Sequence, residues 1–157
     1  MKNIVLIGMP GCGKSSVAIE LARLTGKCVK DSDEEILRMF SRTPSEIITE
    51  NGEAVFREME AEVIEKLSKE DGIIISTGGG AVLRSENVAA LKTNGIVIWL
   101  KRELDKLAMD GRPLSRQGEL RKMYEFRAPI YKASADYCVE NDKTPEDAAD
   151  TIYRIVK

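Results

Sequence analysis

The sequence predicts an α/β domain in which helices cover both faces of a parallel β-sheet. Short apolar runs of four to six residues alternate with longer segments whose apolar residues recur at helical spacing. Strands separated by helices need crossover connections, and such connections produce a parallel sheet that is covered on both sides. The chain has 157 residues, of which 43% are hydrophobic. That size fits a single core, so we expect one domain over residues 1–157.

Each predicted element follows from its local pattern. The run at 3–7 is almost entirely apolar and ends at Gly8, which predicts a buried strand. A stripe of apolar residues with helical period follows at 14–24, and Gly26 closes it. The same criteria predict four further strands, at 28–31, 73–76, 96–100 and 136–139, and four further helices, at 33–40, 45–50, 53–69 and 145–156.

One segment, residues 109–120, breaks this alternation. It contains Gly111 and Pro113 together with Arg112 and Arg116, and almost nothing apolar. Basic loops of this length in small domains often have a function, and closure over bound phosphates is a natural one. The segment therefore predicts a mobile lid, with a solvated connection as the alternative.

The composition excludes several kinds of function. The chain contains no histidine, so a histidine general base, a Ser-His-Asp triad and a histidine-ligated metal site are ruled out. The 24 Lys and Arg nearly cancel the 26 Asp and Glu and leave a net charge of −2. That balance gives no indication of a nucleic-acid or membrane surface, and no apolar run approaches the ~20 residues that cross a bilayer.

The cysteines bear on the cellular compartment. Cys12, Cys28 and Cys138 are odd in number, widely spaced and without a CxxC pair. This pattern is typical of reduced thiols rather than of a disulfide framework or a zinc site. We therefore expect a cytoplasmic protein that acts as a monomer on a small molecule.

The most specific motif lies at residues 8–15, which read GMPGCGKS and match the phosphate-binding P-loop pattern GxxxxGK[ST]. Its context fits, because a buried strand precedes it and an amphipathic helix follows it. Glycines let the backbone wrap the phosphates with inward N–H groups, and the helix N-terminus favours negative charge. We predict that Lys14 reaches the β- and γ-phosphates and that the Ser15 hydroxyl binds Mg²⁺. The candidate nucleotide-binding residues are Gly11, Cys12, Gly13, Lys14, Ser15 and Ser16. A chance glycine-rich turn is the alternative.

Two carboxylates, Asp31 and Asp33, follow the predicted second strand. Ligands of open parallel sheets bind beyond the carboxyl ends of the strands. One carboxylate could therefore serve the metal and the other an acceptor hydroxyl, which begins an acceptor-binding region over 33–60. The alternative is structural, since Asp33 followed by acidic residues would cap a helix well.

Further candidate contacts lie downstream. Arg57 and Glu60 share one helical face, so Glu60 can hold the Arg57 fork for a carboxylate ligand, although an exposed ion pair is the alternative. Three consecutive glycines at 78–80 indicate that something approaches that backbone closely, and they favour a ligand. Arg127, just before Ala-Pro, is a second candidate anion contact.

Taken in order, these motifs resemble those of the shikimate kinases, which transfer phosphate from ATP to the 3-hydroxyl of shikimate in aromatic amino acid biosynthesis. The matching segments cover nearly the whole chain and are GMPGCGKSS at 8–16, DSD at 31–33, GEAVFREME at 52–60, STGGG at 76–80, GRPLS at 111–115 and FRAPIY at 126–131. The resemblance implies a P-loop kinase fold with a five-stranded parallel sheet in the order 2-3-1-4-5, and it names ATP and Mg²⁺ as the cofactors.

The resemblance also implies roles for individual residues. Asp33 would contact the shikimate hydroxyls and act as the general base, while Arg57 and Arg127 would hold the carboxylate. Asp31 would bind Mg²⁺ through water, and Arg112 would reach the transferring phosphate from the lid. The backbone of Gly78, Gly79 and Gly80 would approach the shikimate ring.

The sequence departs from the family in two places, and rival functions remain open. The lid motif ends in Ser115 where the family usually has leucine, and residues 105–110 lack the arginine that often packs against adenine. A gluconate kinase or a nucleoside monophosphate kinase is the nearest enzymatic alternative. A kinase-like binding protein that has lost catalysis is the alternative of another class.

Overall fold

The computed structural model describes residues 2–108 and 117–157, and within them five strands form one sheet. The strands are β1 (Asn3–Ile7), β2 (Val29–Asp31), β3 (Ile74–Ser76), β4 (Gly95–Lys101) and β5 (Tyr137–Glu140). Their order is β2-β3-β1-β4-β5, and every neighbouring pair runs parallel. The predicted α/β class, the parallel sheet and its strand order are therefore confirmed.

Both faces of the central strands are covered. All five residues of β1 and all three of β3 are buried. Successive side chains of a strand point to opposite faces, so burial without alternation requires a layer of helices on each side. The apolar runs that predicted these strands thus form the centre of the core.

The described helices bound these layers. They are α1 (Lys14–Thr25), α2 (Ser32–Phe40), α3 (Pro44–Asn51), α4 (Glu53–Ser68), α5 (Ser85–Thr93), α6 (Leu104–Ala108), α7 (Gln117–Ser134) and α8 (Pro145–Val156), with a 3-10 turn at Ala81–Leu83. None of them is long and apolar enough to cross a membrane, among the residues that the structure describes.

Local signals explain where several helices begin and end. Thr43 accepts from the N–H of Glu46, and the Glu46 side chain accepts from the N–H of Thr43, so this capping box starts α3. Thr144 caps α8 in the same way through the N–H of Asp147. Gly26 ends α1 with a φ of 75°, a left-handed conformation that glycine adopts without cost.

Three helices differ from the sequence-based prediction. The structure contains α5, α6 and α7 where the sequence predicted no helix. The omission of α7 has a physical reason, because Pro129 lies inside that helix and the segment has little apolar character. Of the predicted lid at 109–120, residues 117–120 form the start of α7, and residues 109–116 lie outside the described part of the chain.

The register of the sheet sets the position of the candidate site. Leu6 of β1 pairs with Ser76 of β3, and Ser76 pairs in turn with Asp31 at the end of β2. The segments that follow these three strands therefore leave the sheet side by side. They are the P-loop, the start of α2 and the triple glycine, and they converge at the carboxyl edge where ligands of such sheets bind.

Candidate active site

The P-loop connects β1 to α1 through three glycines with unusual backbone conformation. Gly8, Gly11 and Gly13 have φ values of 153°, 82° and 92°, a range that side chains disfavour. Gly13 occupies the N-cap of α1 without a side-chain cap. The N–H groups of the first helical turn therefore have no capping side chain, which is the arrangement that binds phosphate.

Lys14 is folded back onto the loop that carries it. Its Nζ donates to the backbone oxygens of Gly8 at 2.7 Å and Met9 at 3.1 Å, and it lies 3.5 Å from Cys12 Sγ. The ammonium group is thus held by neutral carbonyl groups of the loop, which bind a full positive charge less strongly than an anion does. An anion in the loop would compete for it effectively.

Asn141 supports the P-loop from behind, a contact that the sequence did not reveal. Its Nδ2 donates to the backbone oxygen of Cys12 at 2.8 Å. A Cβ on Gly13 would lie 2.5 Å from the same nitrogen, so the third loop glycine makes room for this side chain. Cys12 is only 1% exposed, and its N–H donates to the Met9 oxygen. The thiol therefore packs behind the loop rather than facing a ligand.

One cavity of about 530 Å³ joins the P-loop to the ends of β2 and β3. It is lined by Pro10, Gly11, Gly13, Lys14, Ser15, Ser16, Asp31, Asp33, Ser76, Thr77, Gly78, Gly79 and Arg102. The predicted nucleotide-binding residues other than Cys12 thus share a wall with both candidate carboxylates. Arg102 was missed by the sequence reading. It lies in the cavity wall after β4, and its Nη1 donates to the Gly11 oxygen at 2.8 Å.

The two carboxylates divide the structural and chemical work. Asp31 is the cap of α2, because its Oδ1 accepts from the N–H groups of Asp33 at 2.9 Å and Glu34 at 3.2 Å. The alternative assignment of the cap to Asp33 is therefore wrong, and Asp33 is left to face the cavity. Burial and the neighbouring charge of Asp31 raise the pKa of Asp33, while Lys14 and Arg57 act in the opposite direction.

Arg57 is fixed by two carboxylates on α4. Its Nη1 donates to Glu60 Oε1 at 2.8 Å, and its Nη2 to Glu53 Oε1 at 3.2 Å. The Glu60 side chain is 1% exposed and that of Arg57 20%, so an exposed surface ion pair is not the correct description. Burial is the main cause that raises the pKa of Glu60, and its Oε2 is buried without a hydrogen-bond partner in the described residues.

The triple glycine is needed for space and not for backbone conformation. None of Gly78, Gly79 and Gly80 is among the residues with positive φ. A Cβ on Gly78 would lie 3.0 Å from Asp33 Oδ1, and one on Gly80 would lie 2.6 Å from Arg57 Nη1. The groups that approach this backbone are therefore the side chains of the site itself. They occupy the space in which the sequence analysis predicts a ligand.

Hydrogen bonds from other parts of the structure hold the loop after β3 at Thr77, Gly78 and Gly79. The N–H of Gly78 donates to Ser32 Oγ at 2.9 Å, and Thr77 Oγ1 donates to the Leu6 oxygen at 2.9 Å. The hydroxyl of Tyr131 donates to the Gly79 oxygen at 2.6 Å. Arg127 lies one turn earlier on α7, and its Nη1 would be 3.3 Å from a Cβ on Gly79.

The structure therefore brings most of the predicted residues to one place. Asp31 and Asp33 meet the P-loop in the cavity. Arg127 lies beside Gly79 of the cavity wall, and Arg57 lies beside Gly80, the next residue. Arg112 lies outside the described residues. No cluster of three or more potential metal-binding side chains occurs within 2–108 and 117–157. That finding is compatible with Mg²⁺, which often uses one or two protein ligands together with substrate phosphates.

The fold and this geometry define a class of protein. A P-loop at the carboxyl edge of a 2-3-1-4-5 parallel sheet shares its cavity with two carboxylates, and two arginines lie beside the glycines that follow β3. This is the arrangement of a P-loop kinase for a small anionic acceptor.

Comparison with known proteins gives the family. The family model described as shikimate kinase matches residues 10–157. The shikimate kinase of Caldicellulosiruptor bescii is 37% identical, over 99% of this chain and 95% of the relative. That of Pseudomonas entomophila is 39% identical, over 92% and 90%. The chain belongs to the shikimate kinase family.

Solved structures agree in fold. Shikimate kinase from Acinetobacter baumannii, in complex with shikimate, superposes with a TM-score of 0.94 at 30% identity and covers 99% of this chain and 93% of that structure. The enzyme from Aquifex aeolicus gives a TM-score of 0.87 at 32% identity, over 98% and 95%. The resemblance inferred from the motifs is therefore confirmed.

Proposed function

We propose that this protein transfers the γ-phosphoryl group of ATP to the 3-hydroxyl of shikimate, giving shikimate 3-phosphate and ADP in aromatic amino acid biosynthesis. The observation that carries the proposal is the shared cavity. Asp33 faces the same space as the P-loop residue Lys14, and an arginine held by a buried glutamate lies beside it. A P-loop lysine, a candidate base and a candidate carboxylate-binding cation thus lie close together, which supports the proposal. Membership of the shikimate kinase family supports the same reaction.

The acceptor side fits a carboxylate with several hydroxyls. Arg57 and Arg127 would hold the shikimate carboxylate, since guanidinium groups grip carboxylates in a planar fork. The backbone of Gly78, Gly79 and Gly80 would approach the shikimate ring, beside the Asp33, Arg57 and Arg127 side chains that pack against these glycines. Asp33 would accept hydrogen bonds from the acceptor hydroxyls.

The chemical step moves one proton and one phosphoryl group. The 3-hydroxyl oxygen attacks the γ-phosphorus, and its proton passes to the Asp33 carboxylate. The bond between the γ-phosphorus and the β,γ-bridging oxygen breaks, and ADP leaves. Burial raises the pKa of Asp33, which brings a carboxylate closer to the range that suits a general base. In reactions of this kind the protein supplies mainly positioning and neutralisation of charge.

The nucleotide side would hold ATP and Mg²⁺. Lys14 would exchange its carbonyl partners for the β- and γ-phosphates, and the loop from Gly11 to Ser16 would supply backbone contacts. Ser15 and Asp31 line the cavity together, and their oxygen donors fit a hard cation. Bound Mg²⁺ would neutralise phosphate charge there.

Arg112 completes the proposed machinery from the lid motif at 111–115. We expect it to meet charge that grows only as the phosphoryl group transfers. Removing such a contact lowers kcat with little effect on affinity, by about 10²–10³-fold for a comparable donor. Arg112→Ala should lose about that much in kcat, whereas Arg116→Ala should lose less than ~10-fold. Equal losses, or a loss confined to ATP affinity, would show that Arg112 is not this contact.

The cellular setting is part of the proposal. The near-neutral charge balance and the unpaired cysteines support a cytoplasmic monomer that works without nucleic-acid or membrane partners, as one domain with an acceptor-binding region at 33–60 and a lid at 109–120.

A coupled assay of ADP release tests the function. ADP formation should depend on added shikimate and Mg²⁺, and phosphorus NMR of the product should show the phosphate on oxygen 3. Gluconate serves as the matched acceptor, because it also carries a carboxylate and hydroxyls. Turnover with gluconate in place of shikimate would reject the assignment in favour of a gluconate kinase. Binding of shikimate without turnover would indicate a protein that has lost catalysis.

A further inference from the structure

We infer that Tyr131 is a positioning residue for the acceptor carboxylate: its hydroxyl fixes the Gly79 backbone and the Arg127 guanidinium relative to each other. The inference rests on the proposed function, because it concerns the geometry in which Arg127 meets the substrate. It goes beyond that function by assigning a role to a side chain that does not line the cavity.

Tyr131 connects two segments that are distant in sequence. Its hydroxyl donates to the Gly79 oxygen at 2.6 Å across 52 residues. Arg127 lies four residues earlier on α7, on the same helical face. Its Nη1 would be 3.3 Å from a Cβ on Gly79, the residue whose oxygen accepts the bond from Tyr131. One oxygen atom therefore joins α7 to the loop after β3, at the position of the proposed carboxylate contact.

Packing around the ring of Tyr131 fixes the direction of its hydroxyl toward Gly79. The residue is fully buried, and its ring lies 5.8 Å from that of Trp99, tilted by 31°. Burial raises the pKa of the Tyr131 hydroxyl to about 12. The group therefore remains protonated, and a donor, over the whole working range of pH. A buried donor that is held by packing keeps its acceptor in place as well.

Gly79 also lies against the P-loop, so the bond from Tyr131 affects the packing there as well. A Cβ on Gly79 would meet Pro10 Cδ at 2.8 Å and Arg127 Nη1 at 3.3 Å. The glycine is thus enclosed between the P-loop and α7. Without the bond from Tyr131, the peptide at Gly79 could rotate into the space that the Arg127 guanidinium needs. Tyr131 sets the width of this gap, and the position of Arg127 follows from it.

Tyr131→Phe tests the inference, since phenylalanine keeps the ring and removes only the hydroxyl. The KM for shikimate should rise about 3- to 10-fold, the range for one lost hydrogen bond. The KM for ATP should change less than twofold, and kcat should fall less than the KM rises. A purely structural role would instead lower the thermal midpoint and weaken both substrates alike. KM does not depend on the folded fraction, so the result holds for a partly unfolded sample.

A double variant with Arg127→Ala shows whether Tyr131 acts through that arginine. In the Arg127→Ala background, Tyr131→Phe should raise the KM for shikimate less than twofold, because the group that it positions is absent. Tyr124→Phe, on the same helix, is the control and should leave both KM values unchanged.

Three outcomes would overturn the inference. They are an unchanged KM for shikimate in Tyr131→Phe, the same increase with and without Arg127, and an equal increase in Tyr124→Phe. A wild-type protein without activity on shikimate would reject the proposed function instead, so the two failures are distinguishable.

Discussion

The two halves of the candidate site are built in different ways. The nucleotide half is one continuous segment, residues 8–16, whose backbone conformation and position before a helix create the anion site. The acceptor half is assembled from side chains on α2, α4 and α7 around the triple glycine. Among its charged groups, Arg57 is held by Glu53 and Glu60 of its own helix.

Because of this difference, the two halves should differ in how well they tolerate amino-acid substitutions. A backbone site depends on glycines and tolerates little change, but it recognises only phosphate. A side-chain site can be altered one residue at a time, and its specificity depends on which cations and acceptors the fold supplies. The acceptor half therefore distinguishes this kinase from its relatives of similar fold. Mutations there should separate acceptor effects from nucleotide effects.

The largest effect should follow Asp33→Asn, which removes the proposed base while keeping shape. Loss of a general base costs about 10²–10⁴-fold in rate. Steady-state assays should show this loss in kcat. The affinity for ATP, measured by calorimetry, should stay within about twofold of the wild type because the P-loop residues are unchanged.

Glu34→Gln is the control for this variant, since Glu34 is an exposed neighbour on α2. It should remain within twofold of the wild type. If Asp33→Asn retained a tenth or more of the activity, the proton would have to leave by another route, and the assignment of the base would be wrong.

A smaller effect, confined to the acceptor, should follow Arg57→Ala. Hydrogen bonds to charged groups contribute roughly 1.5–3 kcal/mol, which corresponds to about 10- to 150-fold in shikimate affinity. Nucleotide affinity should not change. Titration of both ligands measures the comparison directly, and a shikimate affinity within twofold of the wild type would remove Arg57 from the site.

Gly80→Ala tests the same contact from the opposite side. The added Cβ would lie within 2.6 Å of Arg57 Nη1, so the guanidinium must move. Because the obstructed atoms are the end of a flexible side chain, we expect a milder loss of shikimate affinity, about 10-fold or less.

Gly118→Ala is the matched control, since nothing lies within 4 Å of the atom that it adds. Gly118 lies in the first turn of α7, where alanine is a better helix former. A loss of affinity as large in this control as in Gly80→Ala would show that the contact with Arg57 is not responsible.

The two halves also differ in how much of them the sequence could predict. The P-loop is local, so its pattern of glycines, lysine and serine gave its site directly. The pair Arg57 and Glu60 was also readable, because three residues of spacing on a helix bring side chains together. Burial of that pair was not readable, since it depends on the helices and loops packed around α4.

Contacts made by tertiary packing had no signal in the sequence. Asn141 reaches the P-loop across 129 residues, and Arg102 reaches it across 91. Tyr131 was visible as part of FRAPIY, but the sequence analysis gave it no role, and the helix that carries it was not predicted. The triple glycine was read as space for a ligand, whereas its neighbours are mostly the side chains of the site. Close approach can be inferred from glycine, but the identity of the approaching group cannot.

The smallest expected effect concerns stability, and it follows from the pKa of Asp33. Burial and Asp31 raise that pKa in the folded state, so the folded protein binds a proton more tightly there than the unfolded chain does. The associated stabilisation is present below the unfolded value, near pH 4, and is lost as pH rises through the folded value. At neutral pH the ionised Asp33 therefore lowers the free energy of unfolding of the ligand-free protein.

Asp33→Asn should consequently be more stable than the wild type when no ligand is bound, although it is nearly inactive. At pH 8 we expect the Tm of Asp33→Asn to lie above that of the wild type, because asparagine carries no charge at this partly buried position. The advantage should shrink as the pH falls toward the pKa of Asp33, because the wild-type carboxyl becomes neutral as well. Calorimetric scans of both proteins from pH 8 to pH 5 measure this trend. A lower Tm for Asp33→Asn at pH 8, or a difference that does not change with pH, would mean that Lys14 and Arg57 outweigh burial at Asp33. In that case the attraction of Lys14 and Arg57 for the ionised Asp33 would contribute to the stability of the folded protein.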